Sequence, residues 1–122
     1  MLVMAALVNI LNFIAGHPLT RDQKVRAFCR FLCWQIKCRL QREVIVPWIA
    51  GTNLAVRRGM AGATGNIYCG LHEFEDMAFL LHLLRPEDTF VDVGANIGSY
   101  TILAAGVCRA RSIAFEPTLL LS

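Results

Sequence analysis

The chain has 122 residues, 56% hydrophobic and 17% charged, which excludes a disordered polymer and allows one small domain with its own core. The net charge of +3 is mild but unevenly placed: residues 1–60 hold nine Lys/Arg against Asp22 and Glu43, whereas residues 61–122 hold three against seven Asp/Glu. A basic front half can meet nucleic acid or anionic lipid, but a solvated helix face is the plainer reading, and no nucleic-acid partner is expected.

Met1–Gly16 is apolar apart from Asn9 and Asn12. It is shorter than the roughly 20 residues of a membrane span. It also lacks the charged n-region of a signal peptide, since no Lys or Arg precedes Arg21. A helix packed on the domain, or a disordered leader, is expected, without a stable membrane span. His17, before Pro18, reads as a turn residue. Five cysteines without a secretory signal fit a reducing cytoplasm better than a disulfide framework.

Thr20 is a plausible N-cap for a long helix ending near Arg42. Val25, Phe28, Cys29, Leu32, Cys33, Ile36 and Leu40 recur at three- and four-residue steps and form one apolar stripe, flanked by Arg26, Arg30 and Lys37. Such a helix either lies on a membrane or covers a domain edge, and the second is the more ordinary use. The cysteine spacing here, C-x3-C-x4-C, lacks the paired C-x2-C of zinc ribbons. These thiols are therefore read as small core hydrophobes, and no metal site is expected.

Glu43–Ile49 and Thr52–Arg57 read as short strands joined around Gly51. Gly59, Gly62 and Gly65 punctuate a loop through Asn66, and Ile67–Cys69 suggests another short strand. These glycines are not a phosphate loop, because no Lys-Ser/Thr pair follows at the needed offset. Glu73–Leu84 is predicted as a helix, with Glu73, Glu75 and Asp76 favoured by the dipole of its first turn. Pro86 stops it. His82 within it reads as a partly buried structural residue. Thr89–Val93 has the apolar, β-branched character of a buried parallel strand. Ile97–Val107 is helical in character, and Ser112–Phe115 is the next strand. Strand, glycine turn, helix and strand make a βαβ unit, so the fold class is α/β.

The chemistry concentrates at Phe90-Val91-Asp92-Val93-Gly94-Ala95-Asn96-Ile97-Gly98. A turn from a strand's carboxyl end into a helix is where open α/β sheets bind ligands. Gly94 removes a side chain where backbone must approach a cofactor, and Gly98 lets the helix pack closely. The helix's free N–H groups can hold an anion or a carboxylate. Asp92 sets a carboxylate at the strand's end, suited to an ammonium group. Glu116 ends the following strand about 20 residues beyond Gly94, the spacing of a carboxylate that accepts from ribose hydroxyls. A dinucleotide fingerprint would require Gly at positions 96 and 99, which are Asn96 and Ser99. S-adenosylmethionine has no phosphates and makes no such demand.

The run FVDVGANIGSYT followed by AFEP, with LHEFEDMAFLLHLLRPEDTF before it, resembles the FkbM family of class I S-adenosylmethionine-dependent methyltransferases. The resemblance covers Leu71–Pro117, with Val46–Gly70 compatible. It implies a Rossmann-like methyltransferase fold and S-adenosylmethionine as cofactor. Asp92, Gly94, Asn96 and Gly98 would line the methionine side, and Glu116 would hold the ribose. It further implies O-methyl transfer to a small molecule or sugar. His72 and Glu73 either face the methyl donor or are loop and dipole residues. No catalytic base can be named.

The expected organisation is a helical segment over 1–45 and, over 46–122, the N-terminal part of such a domain, incomplete at its C-terminus. The family continues past AFEP with a polar turn and a helix, whereas this chain reads Thr118-Leu119-Leu120-Leu121-Ser122. Only two strands of a sheet of about seven are expected, leaving an unpaired edge and a marginally stable chain. The alternatives are an inactive remnant without catalysis and an NAD-dependent oxidoreductase fragment.

Overall fold

A computed structural model describes residues 1–117, so the expectation placed on Thr118–Ser122 lies outside the described residues. The described chain is mixed α/β, with five helices and two small sheets. Helices α1 (Leu2–Gly16) and α2 (Lys24–Leu40) lead into a hairpin of β1 (Glu43–Pro47) and β2 (Asn53–Arg57). That hairpin is antiparallel, with Val44 opposite Val56 and Val46 opposite Leu54, close to the strands expected. Ile49–Gly51 forms a single 3₁₀ turn between them, with Ala50 and Gly51 at positive φ.

Helix α2 departs from expectation in the face it buries. Its buried side chains are Ala27, Phe31, Trp34 and Cys38, nearly opposite the stripe read from the sequence. Val25, Phe28, Leu32, Ile36 and Leu40 are exposed, at 78%, 43%, 45%, 62% and 79%, and so are Cys29 and Cys33. Two apolar faces compete for the core here, and the aromatic one wins. Phe31 and Trp34 bring the larger area, aromatic side chains burying about 150–250 Å² each. Phe31 meets the Tyr68 ring edge-on at 5.2 Å. The polar neighbours of that face find partners too: Arg30 Nε donates to the Tyr68 carbonyl, and Gln35 Nε2 to the Tyr68 hydroxyl.

Thr20 does not cap α2, whose N-cap position is Gln23. Thr20 is fully buried instead, and its hydroxyl donates to the Ile14 carbonyl at the end of α1. His17 opens the turn after α1, as expected, and is buried there, with Nε2 2.6 Å from the Leu71 carbonyl.

The glycine-punctuated stretch is a helix, α3 (Ala61–Cys69), and not a loop followed by a strand. Burial of Ala63, Ile67, Tyr68 and Cys69 against α2 and the hairpin outweighs the roughly 1 kcal/mol per residue that glycine costs in a helix. This core includes Ile14 of α1 and runs across position 45. A second cluster gathers Leu71 with Met77 and Leu80 of α4 (Phe74–Leu83) and with Leu103 and Ala104. Trp48 packs against both clusters and donates from Nε1 to the Gly70 carbonyl.

Strands β3 (Thr89–Val93) and β4 (Arg111–Phe115) pair in parallel, with Asp92 opposite Ala114 and Val93 opposite Phe115. The connection between them is helical: α5 (Ser99–Ile102) runs into a π-turn over Leu103–Val107. The expected βαβ unit is therefore present. Its strands are not buried on both faces, however, since Val91, Val93, Ile113 and Phe115 are 52%, 79%, 39% and 55% exposed. His82 is exposed rather than partly buried.

Candidate functional site

A cleft of about 270 Å³ opens at the carboxyl end of β3. Such sites commonly span roughly 300–1,000 Å³, so this one is small. Asp92, Gly94, Asn96 and Ser99 line it from the βαβ side, and Asn66, His72, Glu73 and Met77 from α3 and the start of α4. Four of the five expected cofactor residues belong to this turn: Asp92, Gly94 and Asn96 line the cleft, while Gly98 caps α5 behind it. Glu116, the fifth, joins them through its carboxylate, whose Oε2 accepts from the Asn96 N–H at 2.5 Å.

The turn needs a left-handed backbone at three places: Gly94 (φ 76), Asn96 (φ 50) and Gly98 (φ 75). Asparagine is among the few residues with a side chain that visit this region routinely. Conformation, not close packing, therefore explains Gly98, because an added Cβ there would come no nearer than 4.0 Å to Thr101. The turn is tied down from within. Gly94 N–H and Ala95 N–H both donate to the Phe115 carbonyl, at 2.7 and 3.1 Å, and Gly98 N–H donates to Ala95 at 2.7 Å. With Asn96 bonded to Glu116, these four turn amides are already used and form no nest for a phosphate.

The acids are held by neighbours that sequence spacing did not reveal. Thr101 Oγ1 donates to Asp92 Oδ2 at 2.6 Å, and Tyr100 OH donates to Glu73 Oε2 at 2.7 Å. Burial, followed by the bond to Glu73 and the nearby Glu73, Asp76 and Asp92 charges, pushes the Tyr100 phenol well above its usual range. Tyr100 is thus a fixed hydrogen-bond donor at neutral pH. Thr101 lies nine residues beyond Asp92 with no motif linking them, so only the turn from β3 into α5 brings the pair together.

On the opposite wall, Asn66 is buried and its Oδ1 accepts from the His72 N–H at 2.7 Å. The His72 ring lies over Gly65, where an added Cβ would stand 1.9 Å from Nδ1. That Nδ1 is buried without a hydrogen-bond partner. His72 and Glu73, left open by the sequence, both face the cleft. Its lining contains two carboxylates, Glu73 and Asp92, and no Lys or Arg. The site therefore favours a cationic ligand over a phosphorylated one.

No protein-family model, curated protein or solved structure matches the chain.

Proposed function

We propose that this cleft binds S-adenosylmethionine and that the chain carries the cofactor side of a Rossmann-like methyltransferase of the FkbM type, acting on a hydroxyl or carboxyl group of a small molecule or sugar. The observation that carries the reading is the acidic, cation-free lining at the carboxyl end of a parallel βαβ unit. S-adenosylmethionine bears a sulfonium and an ammonium group, and both gain from carboxylates in a half-enclosed cleft. NAD carries a pyrophosphate instead, and the turn amides of Gly94, Ala95, Asn96 and Gly98 are already bonded to Phe115, Glu116 and Ala95.

In this reading Asp92 accepts from the ammonium group, oriented by Thr101. Glu116 accepts from the ribose hydroxyls while bracing the Asn96 amide, since a carboxylate has about four acceptor sites. Gly94, Asn96 and Gly98 set the backbone path that places these two acids on one edge. The bound cofactor supplies an electrophilic methyl group, and the chain's contribution is to hold the sulfonium in line with a nucleophile.

Isothermal titration of the full chain with S-adenosylmethionine tests the proposal. Saturable heat is expected, and it should fall by at least about tenfold in apparent affinity for Asp92→Asn or Glu116→Gln, each of which removes a charge-assisted bond. Absence of heat at millimolar ligand, or tighter binding of NAD, overturns it.

A further inference from the structure

We propose that α1 and the outward stripe of α2 form a docking surface for an anionic lipid bilayer, lying in its interface without crossing it. Three observations point to that occupant. The first is continuity of exposed apolar surface. Leu2, Val3, Met4, Leu7 and Val8 of α1 are 90%, 83%, 70%, 40% and 50% exposed. An apolar groove of about 320 Å³, lined by Leu11, Ile14, Ala15, Val25 and Phe28 together with Lys24, joins them to the exposed stripe of α2.

The second is charge. Helix α2 carries Lys24, Arg26, Arg30, Lys37 and Arg39 and no acidic residue, and α1 carries no charge at all. By helical periodicity Arg26 and Lys37 lie along one side of the outward stripe and Lys24 and Arg39 along the other, while Arg30 is turned to the Tyr68 carbonyl. An apolar face bordered on both sides by long cationic side chains is the pattern of a helix lying at headgroup level, with stems buried and charges reaching the phosphates. A second copy presenting the same face would bring like charges together, which opposes a symmetric dimer.

The third is length. The 15 residues of α1 extend only about 22 Å, short of the roughly 30 Å hydrocarbon core, and among the described residues no helix is long and apolar enough to cross a membrane. The surface therefore lies along a bilayer rather than through it. None of these residues lines the cleft, so the inference stands apart from the proposed cofactor.

Vesicle flotation of the full chain tests it. The chain should float with vesicles of phosphatidylcholine and phosphatidylglycerol, float poorly with phosphatidylcholine alone, and be released by added salt. Arg26→Glu with Lys37→Glu should weaken binding by more than about tenfold. Val25→Ser with Ile36→Ser should abolish it while leaving far-ultraviolet circular dichroism and the thermal midpoint unchanged, because both positions are exposed. The proposal is overturned if the chain stays in the aqueous layer with phosphatidylglycerol present, if it floats equally with neutral vesicles, or if the serine variant floats like the parent. Sedimentation equilibrium showing a dimer that the serine variant dissociates, without vesicle binding, assigns the face to self-association and overturns it as well.

Discussion

At the scale of single residues, the cleft depends on small groups placed where larger ones would collide. Gly65 sits mid-helix in α3, where alanine would normally be preferred. The His72 ring occupies the volume that a Cβ would need. Gly65→Ala should destabilise the protein by about 1–3 kcal/mol, the usual cost of overpacking, despite its better helix propensity. Adding His72→Ala should recover most of that loss, and a double-mutant cycle in urea reads the coupling directly. Additive effects would show that the two residues do not share this space. The sequence assigns Gly65 and Asn66 to a loop, because glycine and asparagine are the residues of turns. Their helical placement follows from contacts made by Ile67, Tyr68 and Cys69, not from local preference.

At the scale of elements, α2 is the clearest case of two readings of one pattern. The seven-residue stripe is real as periodicity, yet the hairpin and α3 take the Phe31–Trp34 face. Trp34→Ala should cost about 3–5 kcal/mol in thermal or denaturant unfolding, as buried aromatic truncations do. Leu40→Ser, on the outward stripe, should change stability by no more than about 0.5 kcal/mol. The opposite ranking would restore the stripe as the core face. The βαβ unit was more legible. Asp92, Gly94 and Asn96 interrupt the local alternation in ways only a strand-to-helix turn explains, and Glu116 sits at the matching end of β4.

For the whole molecule, two apolar clusters meet at Trp48, and two phenols report on their packing. The Tyr68 hydroxyl is raised mainly by burial, and Tyr100 by burial and then by Glu73. A group whose folded pKa lies above its unfolded value stabilises the fold below the unfolded pKa, and loses that contribution as pH rises further. The thiols of Cys69 and Cys108 are raised by burial too. Stability should therefore begin to decline above about pH 9, the ordinary thiol value, and fall further above about pH 10, the ordinary phenol value. Denaturant midpoints across that range check the sign. Tyr100→Phe and Tyr68→Phe should each flatten the decline above about pH 10, and an unchanged alkaline slope in both variants would contradict it. Folding also leaves Val91 and Val93, of the strand expected to be buried, partly open, along with Ile113 and Phe115 of its neighbour.

The sequence by itself determined the α/β class, the β1–β2 hairpin, the βαβ unit and the acidic residues of the glycine turn. Periodicity, strand-to-helix turns and glycine or asparagine at left-handed positions are local demands, and each is written in adjacent residues. Only the tertiary structure decided which face of α2 is inside, that Gly59–Cys69 contains a helix, and that Thr101, Tyr100, Asn66 and His72 complete the cleft. Those outcomes depend on competition between distant surfaces for the same buried volume. The larger aromatic face displaced the more regular aliphatic one, and the stripe it displaced became the exposed, cation-bordered surface of α2.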